Sequence, residues 1–185
     1  MHERRLHNRC RSQRPGRERT HAGTLARSIA EELLRCDIEL VASLPDSWMG
    51  PLLREVKQEP RFVNIPVASE IEAVGIACGA YYGRKGACVI MANAGLMMCG
   101  YTLPTLALMH RIPVFMLVSM RGAIGDTAFY QEYQGLLTRP FLDAMSIPYL
   151  LIDRPEDIPR IGDVYRHSRV FRRPTVALLG KGALV

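Results

Sequence analysis

The residue of this sequence with the clearest chemical potential is a carboxylate that precedes a run of small, apolar residues. Glu70 opens the segment 70–83, in which Ala73, Ala77 and Gly79 leave room for another group to pack closely. Burying an ionised carboxyl group without a partner costs roughly several kcal/mol, so a carboxylate in such a place needs a function. We therefore take Glu70 as the candidate catalytic residue. The alternative is a helix-start carboxylate stabilised by the helix dipole alone, an effect worth about 0.3 to 1 kcal/mol.

Three further groups of residues follow predicted strands directly, at the edge where parallel sheets bind their ligands. They are Pro45, Asp46 and Ser47; Asn93, Ala94, Gly95 and Leu96; and Ser119, Met120, Arg121 and Gly122. Arg121 lies beyond an apolar strand, which favours contact with an anion over a simple surface charge. Gly95 is equally consistent with a plain turn, because glycine is common wherever the backbone bends tightly.

The elements that must position these residues alternate between helix and strand. The spacing of Leu25, Ile29 and Leu33 predicts an amphipathic helix, and the apolar stretch 38–44 after it predicts a strand. The alternation continues to a last strand at 175–179, and most of the strands are almost wholly apolar. Such strands separated by helices are typical of a parallel sheet covered on both faces. The predicted fold is an α/β, doubly wound, mainly parallel sheet of about six strands in one domain, residues 21–185.

Two predicted helices bear directly on the candidate site. One begins after Gly95 and ends near His110, and the other covers about residues 134–145. Glu72, two residues after Glu70, points elsewhere on its helix and is expected at the surface or in a salt bridge.

The positive charge of the chain is concentrated at its start. Residues 1–20 hold seven arginines against Glu3 and Glu18, which gives +5 of the formal net charge of +6. This stretch has almost no apolar residues, so we expect a disordered tail rather than a nucleic-acid-binding arm. The five cysteines form no C-x-x-C pair, and no apolar run approaches the ~20 residues of a membrane span. We expect a cytoplasmic protein with free thiols.

Several self-contained active sites are excluded by missing motifs. The chain has neither the G-x-G-x-x-G nor the G-x-x-x-x-G-K-[ST] phosphate-binding motif, and it has no G-x-S-x-G nucleophile turn. Its five histidines include no pair at metal-ligand spacing, so no metal site is predicted. One carboxylate, a glycine-bearing turn and an arginine do not make a complete site. A cofactor or a second chain must therefore complete it.

The order of the remaining motifs resembles the pyrimidine-binding domain of thiamine diphosphate-dependent enzymes. Within this family the chain is similar to the alpha subunits of sulfopyruvate decarboxylases and to the N-terminal part of phosphonopyruvate decarboxylases, over most of residues 22–182. The matching positions are Glu70, Ala73, Gly79 and Tyr81 in a Glu-x-x-Ala helix, Asn93 to Leu96 for Asn-Ser-Gly-Leu, Ser119 to Gly122 for Ser-His-Arg-Gly, and Gly135 with Thr138 for Gly-x-x-Thr.

The resemblance implies a task for each candidate residue. The family's glutamate, here Glu70, hydrogen-bonds the pyrimidine ring of thiamine diphosphate and stabilises its imino tautomer. The residues implied to contact the pyrimidine are Glu70, Asn93, Ala94, Gly95, Leu96 and Met97. Those implied to border the substrate are Pro45, Asp46, Ser47 and Arg121.

The family's other half-site, which binds the diphosphate through Mg²⁺, has no match in this chain. It uses Gly-Asp-Gly followed by asparagine, whereas the nearest string, Gly125-Asp126-Thr127, has no asparagine after it. A beta-type partner subunit is therefore expected to supply the Mg²⁺ ligands, with the cofactor at the interface. The expected function is the alpha subunit of a heteromeric thiamine diphosphate-dependent 2-oxoacid decarboxylase. Its expected substrate is sulfopyruvate, phosphonopyruvate or a related 3-substituted pyruvate.

The alternative function is a non-catalytic scaffold or regulatory partner that has kept the fold. The relatives read Gln-Asn-Ser-Gly-Leu-Gly-Asn where this chain reads Ala92 to Met98, and they carry a histidine where it has Met120. These differences make the predicted pocket more apolar and remove a proton donor.

Overall fold

The computed structural model describes residues 21–184, and six strands within them form one parallel sheet. The strands are β1 (Ile38–Ser43), β2 (Val63–Pro66), β3 (Gly86–Ala92), β4 (Phe115–Ser119), β5 (Tyr149–Ile152) and β6 (Thr175–Leu179). Their order across the sheet is β2-β1-β3-β4-β6-β5, and every neighbouring pair is parallel. The predicted fold class is confirmed. The arginine-rich stretch 1–20, for which we predicted disorder, lies outside the described residues.

Seven α-helices of the described chain cover the two faces of this sheet. They are α1 (His21–Arg35), α2 (Gly50–Gln58), α3 (Glu70–Tyr82), α4 (Asn93–Met98), α5 (Glu132–Ala144), α6 (Ile161–Phe171) and α7 (Lys181–Leu184). Apolar residues of α1, α2, α6 and α7 form one core with the sheet, and those of α3, α4 and α5 form a second. The central strands serve both cores: Ile90 packs into the first and Met91 into the second. Burial on both faces explains why these strands read as continuous apolar runs.

The register of the sheet brings the candidate residues to one edge. Ala92 pairs with Ser119, and Ser119 pairs with Leu179, so β3, β4 and β6 end side by side. The loop after β1 begins at the same edge, because Ser43 pairs with Ile90 near the end of β3. Segments far apart in sequence therefore meet just beyond the carboxyl ends of the strands, as the ligand-binding rule for open parallel sheets requires.

The prediction of one helix that begins after Gly95 and ends near His110 is wrong, because the helix begins earlier and is interrupted. The structure begins α4 at Asn93, ends it at Met98, and follows it with a π-helical segment at Leu103–Leu108. Pro104 has no N–H to donate within a regular helix, and wide-turn bonds run instead from Met109 N to Pro104 O and from Ile112 N to Ala107 O. Within residues 21–184, no helix is both long and apolar enough to cross a membrane.

Candidate functional site

Glu70 begins α3 directly after β2, and neighbouring side chains complete the start of that helix. Ser69 is the N-cap, and its Oγ accepts a hydrogen bond from Ile71 N at 3.3 Å. Glu72 is exposed, and its Oε2 accepts from Ala68 N at 3.0 Å, which places it at the surface as predicted. The half-buried carboxyl group of Glu70 forms neither a hydrogen bond nor a salt bridge with any residue of the described chain. It remains available to another molecule.

The Glu70 side chain packs against the backbone of α4 at Gly95. A β-carbon at position 95 would overlap Cγ, Cδ and Oε1 of Glu70. Gly95 lies inside α4 and has an ordinary negative φ, so the plain-turn interpretation does not account for it. The glycine is needed for space, and it brings the carboxyl group onto the first turns of α4.

Buried apolar groups surround this contact. Leu96 is fully buried, and so is Cys99, which follows α4 directly. Burial, with a smaller contribution from the charge of Glu70, raises the pKa of the Cys99 thiol to about 12. The thiol is therefore protonated near neutral pH and is not a nucleophile. Among the residues predicted to contact a pyrimidine, Ala94 and Met97 are only half-buried.

Asn93 links three separate elements from a fully buried position. Its Nδ2 donates to the carbonyl oxygen of Arg121 at 2.8 Å and to Oγ1 of Thr138 at 2.9 Å. The Thr138 hydroxyl in turn donates to the carbonyl oxygen of Gln134 within α5. Asn93 Oδ1 is buried without a hydrogen-bond partner in the described residues. The amide nitrogen thus fixes α4 to the end of β4 and to α5, and the amide oxygen remains an unused acceptor.

Two glycines let the segment after β4 cross the start of α5 at very short range. Gly122 has a φ of +73°, and a β-carbon there would overlap the carbonyl oxygen of Gln131. A β-carbon on Gly135 would in turn overlap the carbonyl oxygen of Gly122. The Arg-Gly and Gly-x-x-Thr motifs therefore have a structural basis, because they set the backbone crossing to which Asn93 is bonded.

Arg121 lies between two carboxylates, and its side chain is only 6% exposed. Its Nε donates to Asp126 Oδ2 at 2.8 Å, and its Nη1 donates to Asp46 Oδ1 at 3.1 Å and to Ser47 Oγ at 2.8 Å. The ring of Trp48 stacks on the guanidinium at 4.6 Å. A second bond joins the same elements, because Ser119 Oγ donates to Asp46 Oδ2 at 2.7 Å. We call Asp46, Ser47, Ser119, Arg121 and Asp126 the arginine cluster.

Asp126 is the member of the arginine cluster that sequence reasoning missed. Its carboxylate also accepts hydrogen bonds from Gly122 N at 3.0 Å and Ala128 N at 3.1 Å. Hydrogen bonding to Arg121, together with these backbone bonds, holds the pKa of Asp126 well below its usual range. The signal in the sequence was a turn of the form Arg-Gly-x-x-Gly-Asp, with positive φ at Gly122 and Gly125.

The predicted site residues therefore form two neighbouring groups. Glu70 lies with Gly95 at the end of β3, and the arginine cluster joins the loop after β1 to the end of β4. Asn93 connects the two through the Arg121 carbonyl. Pro45 and Ser47 are exposed at the rim. The part of the chain that the structure describes contains no group of three or more histidine, cysteine or acidic residues able to hold a metal ion.

No family model matches this sequence. The alpha subunit of sulfopyruvate decarboxylase from Methanothermobacter thermautotrophicus is 31% identical over 112 residues, which cover 60% of this chain and 68% of that protein. Phosphonopyruvate decarboxylase from Streptomyces viridochromogenes is 32% identical over 123 residues, which are 65% of this chain but 30% of that longer protein. The resemblance drawn from the motifs is thus confirmed.

A solved structure supports the fold. A 2-oxoglutarate:ferredoxin oxidoreductase from Magnetococcus marinus superposes with a TM-score of 0.68 at 14% identity, over 86% of this chain and 29% of the other. Identity this low bears on architecture only. The sequence relationship, however, extends over two thirds of a curated alpha subunit at more than 30% identity. The chain belongs to the family of sulfopyruvate decarboxylase alpha subunits.

Proposed function

We propose that this chain is the pyrimidine-binding alpha subunit of a thiamine diphosphate-dependent 2-oxoacid decarboxylase that works with a beta-type partner subunit. Its substrate is sulfopyruvate, phosphonopyruvate or a related 3-substituted pyruvate, in keeping with the names of its relatives. The observation that carries the proposal is the Glu70 carboxyl group, which lies on the backbone of α4 at Gly95 and has no partner in the described chain.

The residues at this place fit a pyrimidine ring. An aminopyrimidine has ring nitrogens, which accept a hydrogen bond from a carboxyl O–H, and an amino group, which donates to oxygen acceptors. Glu70 supplies the carboxyl group, and Asn93, whose Oδ1 is buried without a partner, lies two residues before Gly95 on the same helix. Ala94 and Met97, which are half-buried, add small and apolar surface beside the ring, whereas Gly95 and Leu96 are buried in the protein.

The roles proposed for the chain's own residues follow from this fit. Thiamine diphosphate, when bound, supplies the electron sink for decarboxylation. Glu70 hydrogen-bonds a ring nitrogen, which is the role that the resemblance gives to the family's glutamate. Gly95 leaves the space in which the carboxyl group packs against α4, and Asn93 holds α4 against the end of β4.

The arginine cluster borders the substrate in this proposal. Asp46 and Ser47 follow β1, and Pro45 precedes them at the exposed rim. Arg121 holds Asp46 in place, since its Nε and Nη1 are engaged by Asp126, Asp46 and Ser47. A substrate anion at Arg121 would have to share a guanidinium whose charge two carboxylates already balance.

Exposed apolar side chains support a partner subunit. The helices α4 and α5 pack against each other, and both helices and the segments next to them expose large apolar side chains. These are Met98, Tyr101, Phe129, Tyr130, Tyr133, Leu136 and Leu137, with Tyr101 81% and Phe129 87% exposed. Exposed apolar surface of this kind marks interaction sites. The partner would supply the Mg²⁺ ligands that bind the diphosphate.

We also infer a cytoplasmic location. The four cysteines of the described chain, Cys36, Cys78, Cys88 and Cys99, are all free thiols. Free buried thiols are typical of proteins in reducing compartments.

The proposal is tested by turnover of the complex reconstituted with its beta-type partner and thiamine diphosphate. Glu70→Gln should abolish sulfopyruvate decarboxylation while the unfolding temperature stays close to that of the wild type. Glu72→Gln, two residues away on the exposed side of the same helix, is the matched control and should keep activity. An active Glu70→Gln complex would overturn the proposal, and a wild-type complex without turnover would favour the scaffold alternative.

A further inference from the structure

A second concave surface lies beside the arginine cluster, at the carboxyl ends of β4, β6 and β5. This cavity has a volume of about 500 Å³. Trp48, Met120, Leu136 and Leu151 give it apolar walls, and two cationic side chains, Arg139 and Lys181, line it as well. One carboxylate, Asp153, also reaches it, so its charged side chains sum to +1.

The cations of this cavity are uncommitted, in contrast to Arg121. Neither Arg139 nor Lys181 forms a salt bridge with any carboxylate between residues 21 and 184. Lys181 donates to a backbone carbonyl, that of Gly125 at 2.9 Å, and the cavity's one carboxylate, Asp153, packs against Gly180 and Gly182 without forming a salt bridge with it. Both side chains are exposed, so the apolar walls strengthen their attraction for an anion only where that anion is removed from water.

The cavity and the arginine cluster share a wall. Trp48 lines the cavity and also stacks on the Arg121 guanidinium. Met120 and Gly122, on either side of Arg121, line the cavity too. Leu179 pairs with Ser119 at the end of β4, and neighbouring strands lie about 4.8 Å apart. Gly180, which lines the cavity, follows Leu179 directly, so the cavity begins one residue beyond that pair. A three-carbon acid with a charged substituent is long enough to span that spacing.

We propose that Arg139 and Lys181 bind the sulfonate or phosphonate group of the 2-oxoacid in this cavity, an inference that rests on the proposed function. In this arrangement Arg121 holds Asp46 in place. The sulfonate or phosphonate group of the substrate is bound beyond β6, the strand next to the one that precedes Arg121. The arrangement selects for substrates that carry a fixed negative charge at the carbon farthest from the carboxylate. Pyruvate itself, which has no such group, gains nothing from the two cations.

Trp48 provides a direct readout, because it lines the cavity and is the chain's single tryptophan. The full chain is titrated with sulfopyruvate, with pyruvate and with inorganic sulfate, by tryptophan fluorescence and in parallel by calorimetry. Sulfopyruvate should bind at least tenfold more tightly than pyruvate, and sulfate should compete with it. Arg139→Gln and Lys181→Gln should each weaken sulfopyruvate binding at least tenfold.

Two matched controls remove a cation elsewhere. Arg84, in the turn before β3 at the opposite edge of the sheet, and Lys57, on α2, are both exposed. Arg84→Gln and Lys57→Gln should leave sulfopyruvate binding within twofold of the wild type. Equal affinity for pyruvate and sulfopyruvate, or unchanged binding in the Arg139 and Lys181 variants, would overturn the inference. Sulfate binding without sulfopyruvate binding would do the same.

Turnover by the reconstituted complex separates this inference from the proposed function. If Glu70→Gln abolishes decarboxylation but Arg139→Gln leaves the KM for sulfopyruvate unchanged, the function stands and the cavity assignment fails. If the complex has no turnover while binding still depends on Arg139 and Lys181, the cavity binds the acid and the proposed function fails.

Discussion

The Glu70 carboxyl group occupies the space over Gly95 that a β-carbon at position 95 would fill. Glu70 follows β2, at the outside of the sheet, whereas Gly95 lies in the helix after β3, two strands further in. The contact therefore places a carboxyl group that follows an outer strand beside the helix that follows a central strand. A residue with any side chain at position 95 would displace that group, because Cγ as well as the carboxyl group lies in the way.

Gly95→Ala should lower decarboxylation by the reconstituted complex at least tenfold, a loss of about 1.4 kcal/mol of transition-state stabilisation. The added methyl group must move Glu70, and the proposed role of its carboxyl group at the pyrimidine ring depends on its present position. The fold should survive, because the obstacle is the end of a flexible side chain rather than backbone. Turnover and thermal unfolding, measured on the same preparation, check both parts.

Gly79→Ala in α3 is the stability control for that variant. A β-carbon at position 79 meets no atom within 4 Å, so alanine should raise the free energy of unfolding by about 0.5 to 1 kcal/mol. If Gly95→Ala proves fully active, the proposed link between Gly95 and a catalytic role of Glu70 is wrong.

Asn93 and Thr138 should be energetically coupled even in the isolated chain without cofactor. Asn93→Ala removes the donor to Arg121 O and Thr138 Oγ1 and should cost about 2 to 3 kcal/mol, and Thr138→Val should cost about 1 to 1.5 kcal/mol. Because the two changes break one shared bond, the double variant should lose at least ~0.5 kcal/mol less than their sum. Urea unfolding of the four proteins measures the coupling, and strict additivity would contradict it.

The sequence was sufficient to predict the sheet, and it singled out Glu70 as a candidate for chemistry. Apolar runs such as 115–119 are long, uninterrupted and separated by helices, so their burial on both faces is predicted by composition alone. Glu70 was conspicuous because a carboxylate followed by small residues has few structural explanations. Its contact with Gly95 was not predictable, since it depends on how far α3 leans toward the neighbouring helix.

The surroundings of Arg121 could not be predicted from sequence. Asp46 lies 75 residues away and meets Arg121 through the order of the strands, whereas Asp126 meets it through a turn with two positive φ angles. An arginine beyond an apolar strand therefore suggested contact with a substrate anion, whereas the structure pairs Arg121 with two carboxylates of the chain itself. The cavity that contains Arg139 and Lys181 also depends on strand order, because β6 inserts between β4 and β5.

The free energy of unfolding at low pH should depend on the protonation of the Asp126 carboxylate. Its pKa is lowered in the folded protein by Arg121 and by backbone donors, so the stabilisation is full above the ordinary aspartate value of about 3.9 and is lost as the pH falls below it. Asp126→Asn should cost about 2 to 3 kcal/mol at pH 7, since the hydrogen bonds of the carboxylate to Arg121 and to two backbone N–H groups are weakened while Asp46 still pairs with Arg121. Urea unfolding at several pH values should show a shallower acid decline for the variant.

The surface pair Asp163 and Arg166 provides the comparison for that experiment. Both side chains are more than half exposed, and exposed pairs contribute at most about 1 kcal/mol. Asp163→Asn should therefore stay within ~1 kcal/mol of the wild type at pH 7 and follow its acid decline. Equal losses in the Asp126 and Asp163 variants would show that the arginine cluster does not stabilise the fold.

Alanine substitutions at Gly122 and Gly125 should separate the effect of steric overlap from that of a strained backbone conformation within one loop. Both have positive φ, +73° and +95°, so alanine at either position adopts a conformation that costs about 1 to 2 kcal/mol. A β-carbon at Gly125 meets nothing within 4 Å, whereas one at Gly122 overlaps the Gln131 carbonyl oxygen and lies close to Gly135 N. Gly125→Ala should thus lower the free energy of unfolding only by the cost of the strained backbone conformation. Gly122→Ala should lower it several-fold more, or the variant should fail to fold. Thermal unfolding of both variants measures the difference, and equal losses would mean that the crossing of the β4 loop over α5 is not rigid enough to hold Asn93 in place.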